Sequence, residues 1–221
     1  MENRFPQPNQ SHVESTISLD GQPVTLPLDK KSPLNFVRCH IEALALTQQR
    51  ILSRFIIDGQ TCNLAFPLPA KKTFHRIEAE SIPLEEGQIL ILKTAWQQTH
   101  WLQENVEKML TWVLINKISV ARSLWWDLAW QLKEPVLTLS LLPDHPSSNT
   151  TTSTFKQLRK WQLEQIGTII QEVNQVCEGP DTIPLSNVLE TRVLPWLNKL
   201  SDLIQLWHET VMAATRLGLK N

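Results

Sequence analysis

Two short stretches of this chain end in the same turn, Ile17-Ser18-Leu19-Asp20-Gly21-Gln22 and Phe55-Ile56-Ile57-Asp58-Gly59-Gln60. Asp-Gly between alternating apolar runs is a strong hairpin signal, because a type I′ turn needs positive φ at both central residues. The pair commits the first part of the chain to short paired strands. A second feature separates that part from the rest. All nine tryptophans lie between Trp96 and Trp207, whereas the first 95 residues have none and hold five of the six phenylalanines. Two differently built units therefore share the chain, hairpins first and long apolar helices after.

Residues 1–14 are polar and proline-containing and read as a flexible tail. Ser15 to Leu19 and Gln22 to Leu26 alternate around Asp20-Gly21, with Ile17, Leu19, Val24 and Leu26 as the apolar positions. Ser32-Pro33 opens a helix: serine can cap it, proline fits its first turn, and Leu34, Val37, Ile41, Leu44 and either Ala45 or Gln48 follow at helical spacing. Arg50 to Ile57 reads as a strand, which Asp58-Gly59 turns into Gln60 to Leu64. Pro67 and Pro69 break the chain, and Phe74 to Glu80 makes a last strand.

The order strand, strand, helix, strand, strand, strand resembles the β-grasp fold of ubiquitin-like domains over residues 15–82. The resemblance rests on element order and the two Asp-Gly hairpins, and it implies a binding or docking module. No glycine pair ends the chain, which closes with Gly218-Leu219-Lys220-Asn221, so conjugation through the carboxyl terminus has no support. The whole arrangement is similar to uncharacterised bacterial proteins that join such a domain to a helical bundle.

In the second unit, residues 83–221, Leu92, Ala95, Thr99, Leu102, Val106, Met109 and Val113 follow steps of three and four. This helix extends back to Pro83, with Ser81 as its cap and Glu85-Glu86 favouring its amino terminus. Gly87 opposes the extension, and a strand over Gln88 to Lys93 is the competing reading. A second helix runs from Ile118 to Lys133, where Pro135 ends or bends it and leaves Val136 to Leu142 open. Residues 143–154 form a Ser/Thr-rich loop whose Ser153 or Thr154 could cap a third helix, Phe155 to Cys177, stopped by Gly179-Pro180. Its apolar positions are Leu158, Ile166, Ile169, Val173 and Val176. The last segment, Pro184 to Leu217, repeats Leu189, Val193, Trp196, Leu200, Leu203, Trp207, Thr210, Ala214 and Leu217 in four-three steps, with Pro195 as a kink. The expected fold is α+β: a small β-grasp domain followed by an all-α bundle of about four helices.

Charge argues against nucleic acid. With 21 basic and 22 acidic side chains, neither unit has the electrostatic excess that phosphate backbones select. Cys39, Cys62 and Cys177 are unevenly spaced with no CxxC, which fits a reducing, cytoplasmic compartment. The amino terminus lacks an apolar core like that of a secretory signal, and the most apolar stretches are too short or interrupted to cross a bilayer. Asn149-Thr150-Thr151 matches a glycosylation sequon but reads as loop.

No catalytic, cofactor or metal set rises above background. GxGxxG, Walker, GxSxG and HExxH motifs are absent. His100, Glu104 and Glu107 share a helix face, but a ferritin-like di-iron bundle needs Glu-x-x-His, which occurs nowhere in the chain. His40 with Glu42, and His208-Glu209, lack partners at useful spacing; Lys30-Lys31 and Lys71-Lys72 read as solvated charge, and Cys62 as inert without a neighbouring cation. The candidate partner-binding cluster is Trp125, Trp126 and Trp130. Trp126 and Trp130, four apart, share a face, while Trp125 sits about 100° away. Trp196 and Trp207 belong to the core of the repeat. The expected function is that of a non-catalytic adaptor or chaperone-like protein whose helices and tryptophans bind a protein partner. The alternatives are an enzyme with a pocket at the domain junction and a homo-oligomer built through the last helix.

Overall fold

A computed structural model describes residues 16–26, 33–68, 74–142, 151–179 and 183–216. The chain is α+β and divides into two compact units, Met1–Ile82 and Pro83–Asn221.

The first unit contains β1 (Thr16–Leu19), β2 (Gln22–Pro23), α1 (Leu34–Thr47), β3 (Arg50–Ile57), β4 (Gln60–Cys62) and β5 (Arg76–Pro83). The five strands form one mixed sheet in the order β2-β1-β5-β3-β4. Strands β1 and β2 pair antiparallel, β1 and β5 parallel, and β3 and β4 antiparallel. Both hairpins turn as their residues demand: Asp20 and Gly21 have φ of 51° and 76°, and Asp58 and Gly59 have 49° and 83°. The β2 strand is shorter than its alternation implies. Pro23 has no N–H to give the sheet, and pairing ends with Val24 N–H donating to the Ile17 carbonyl at 2.8 Å.

The two turns also perform a shared task. Asp58 Oδ1 accepts the His75 and Arg76 N–H groups (2.8 and 2.9 Å), and Asp20 Oδ1 accepts the Ser81 N–H (2.7 Å). Each hairpin thus grips one end of β5. Arg50 reinforces the second grip by donating to the Ser81 hydroxyl and carbonyl, both at 2.7 Å. Beneath the sheet, Leu34, Val37, Ile41 and Ala45 of α1 pack with Leu19, Leu52, Phe55, Ile57 and Ile77. Ala45 takes the last core position and Gln48 is exposed.

The second unit is helical in the described residues: α2 (Gln88–Leu114), α3 (Ile118–Ala129), a 3₁₀ turn (Gln131–Lys133), α4 (Glu134–Leu139), α5 (Thr151–Glu178), α6 (Ile183–Val188), a π turn (Leu189–Val193) and α7 (Leu194–Arg216). All seven positions of the expected first stripe, Leu92 to Val113, are buried in α2. The helix ends in a Schellman motif. Asn116 adopts φ 60°, its N–H reaches the Val113 carbonyl (3.0 Å), and Lys117 N–H reaches that of Trp112 (2.8 Å). One core then gathers α2, α3, α4, α5 and α7, with Trp125, Leu132, Val136, Ile166, Val173, Leu200 and Trp207 among its members.

Several expectations are corrected. Ser81 caps nothing; it lies in β5 with its hydroxyl on the Asp20 carboxylate (2.6 Å), and α2 begins at Gln88 with Gly87 at the cap position. Among the described residues, six α-helical segments replace the four expected in this unit. Pro135 is one cause: it stands in the first turn of α4, where its missing N–H costs nothing, so it starts a helix and does not end one. Pro195 is the other. It offers no N–H to the Thr191 carbonyl and its ring crowds that group, and the π turn at Leu189–Val193 widens the helix there. Ser153 and Thr154 fall inside α5, which starts at Thr151. In α5, Ile166, Ile169, Val173 and Cys177 are buried while Val176 is only partly so. In α7, Thr210 is exposed, and Ile204 rather than Leu203 is fully buried. The tail 1–14, Ser32, Lys30-Lys31, Lys71-Lys72, the sequon's Asn149-Thr150, the loop 143–150, Pro180, Leu217 and the side chains of Leu158 and Ala214 lie outside the described residues.

Candidate functional site

Helix α3 decides which of the three clustered tryptophans can meet a partner. Its buried positions are Ala121, Trp125 and Leu128, in steps of four and three. Trp125 is 0% exposed, and its indole N–H donates to Asn174 Oδ1 of α5 at 2.7 Å. That bond satisfies the polar end of a fully buried indole, so Trp125 belongs to the core and leaves the candidate set. One position further along, a rotation of about 100° takes Trp126 out of the buried face. Trp126 and Trp130 are 52% and 53% exposed, on one face, with the exposed Asp127 between them in sequence. The structure keeps these two together and separates them from Trp125.

A second feature lies between α2 and α7. A half-open groove of about 270 Å³ is lined by Leu92, Lys93 and Trp96 from α2 and by Ile204, Gln205 and His208 from α7, with Ile89 at one side. Leu92 and Ile204 are buried and supply apolar surface, while Trp96 is 46% exposed. The Trp96 ring stacks on His100, with centroids 5.4 Å apart and planes 11° apart. Gln205 donates to the Glu209 carboxylate at 3.2 Å. Lys93 is the one formal charge in the lining. Sequence reasoning passed over this groove, although Ile89, Lys93, Trp96 and His100 recur at helical spacing beside the core stripe of α2.

The remaining candidates are accounted for by local contacts. His100 Nε2 lies 3.5 Å from Glu104 Oε1, both side chains about half exposed, and no group of three or more His, Cys, Asp or Glu side chains among the described residues is placed to hold a metal. His40 Nδ1 is 2.9 Å from the Phe36 carbonyl. Cys62 does have a cation nearby, against expectation. Burial raises its thiol, the Arg38 charge lowers it, and burial prevails, so thiolate is disfavoured. Burial likewise pushes Cys177 up to about 11 against the charge of Arg122. No disulfide joins Cys39, Cys62 or Cys177. In the four-three stripe of the last segment, Leu189, Val193, Trp196, Leu200 and Trp207 lie in the unit's own core. No helix among the described residues is long and apolar enough to cross a membrane.

Compared with protein-family models, with curated proteins and with solved structures, the chain matches none.

Proposed function

We propose that this chain is a non-catalytic adaptor, a ubiquitin-like β-grasp domain fused to a helical bundle that binds a protein partner through α3. The observation that carries the reading is the pair Trp126 and Trp130, each about half exposed on one helix face. Aromatic anchors of this kind dominate binding energy when a partner covers them, because each buries a large apolar area at small rotamer cost. The β-grasp part of the proposal draws on the strand order β2-β1-β5-β3-β4, with parallel β1 and β5 at its centre and α1 joining the two hairpins. Such a domain is a docking module by resemblance. A cytoplasmic setting belongs to the same reading and draws on three cysteines that form no disulfide with one another.

The test is affinity capture from native extract with the intact chain and with Trp126→Ala/Trp130→Ala side by side. The expected result is a partner that the wild type retains and the double variant loses, with unchanged far-ultraviolet circular dichroism. Adding that partner should shield the indoles from iodide quenching. A partner retained equally by both proteins would show that the α3 face does not carry binding.

A further inference from the structure

The α2/α7 groove and the α3 face are complementary in shape class and in charge. The groove offers Leu92 and Ile204, a wall from Trp96, and one cation, Lys93. Its 270 Å³ admits one indole. The α3 face offers two indoles, Trp126 and Trp130, and an exposed anion, Asp127, with the exposed Lys133 one turn past Trp130. Neither Lys93 nor Asp127 forms an ion pair among the described residues. Glu209, next to the lining residue His208, accepts a hydrogen bond from Gln205. A small molecule in a half-open groove would stay largely in water, whereas an indole held on a rigid helix brings its own cover.

We infer that the groove receives α3 of a second copy of this chain, an indole of Trp126 or Trp130 entering beside Trp96 while Asp127 reaches Lys93. The inference rests on the proposed role of the α3 face as a protein-binding surface and names its partner. Two different patches meet, so the contact either forms twice about a two-fold axis and closes a dimer, or repeats in one direction as a ring or filament. Facing charges at its rim set register and make association weaken with salt.

Sedimentation of the intact chain over micromolar concentrations tests this. Wild-type protein should self-associate, and less so as salt rises. Lys93→Glu and Asp127→Lys, both at exposed positions, should each weaken association about tenfold, as expected for breaking one facing charge pair. The double variant Lys93→Glu/Asp127→Lys exchanges the signs and should recover most of the loss. A strict monomer throughout the range overturns the inference, and so does self-association that neither charge reversal alters. Such a result leaves the adaptor reading to its own test, since the Trp126→Ala/Trp130→Ala capture asks only whether α3 binds a partner of any kind.

Discussion

Trp125 and Trp126 are neighbours in sequence and opposites in environment. Trp125 is fully buried with its N–H satisfied by Asn174, while Trp126 has half its surface in water. Truncating the first removes a packed indole, leaves a cavity, and strips the half-buried Asn174 of a hydrogen bond. Trp125→Ala should therefore cost about 3–5 kcal/mol, and Trp126→Ala should stay within about 0.5 kcal/mol. Urea melts of the two variants check the contrast, and equal losses would place both side chains in the core. Helical geometry alone separates the two faces, because consecutive residues differ by about 100°. The inner face is the one whose Ala121, Trp125 and Leu128 find apolar neighbours on other helices, and the partner of the Trp125 N–H, Asn174, is 49 positions along the chain, so no local pattern around α3 contains either.

At the level of elements, amphipathic period and the Asp-Gly turns were legible, whereas the proline and serine punctuation was not. Leu92 to Val113 announced α2 because a stripe of that length has one helical solution. Proline and serine did not announce their roles, since each is compatible with two local structures. Pro135 fits a helix end or a first turn, and Ser81 fits a helix cap or a strand; long-range packing chose the second each time. The Ser81 case has a measurable consequence. Burial pushes the Asp20 carboxyl up, but hydrogen bonds from the Ser81 hydroxyl and N–H, and the Arg50 guanidinium, outweigh it and bring Asp20 below its ordinary value of 3.8. A lowered folded-state value means that the clamp's contribution is fully present above 3.8 and is lost as pH falls through the folded value. Asp20→Asn should thus destabilise the first unit at pH 7 and progressively less below 3.8. Urea melts followed by circular dichroism at pH 7 and pH 3 test this, and a deficit that persists undiminished in acid would mean that the carboxylate charge is not what secures β5.

For the whole molecule, the division into hairpins and tryptophan-bearing helices follows the composition of the chain, whereas the groove between α2 and α7 needs two segments more than 100 residues apart to meet (Lys93 and Ile204) and no linear pattern contains it. The same division supplies a built-in reporter. The two cores share no residue: one runs from Leu19 to Ala79 and the other from Leu92 to Trp207. Every tryptophan lies in the second unit, so indole emission follows that unit alone, while amide exchange in β3 and β5 follows the first. Phe55 is fully buried in the first core. Phe55→Ala removes an aromatic ring from a small core and should cost that unit about 3–5 kcal/mol, enough to take a large part of a domain's total stability. If each core holds its own unit, the variant will exchange its β3 and β5 amides orders of magnitude faster while the urea midpoint of tryptophan emission stays where it was. A midpoint that moves together with the amides would show instead that the two units unfold as one cooperative block.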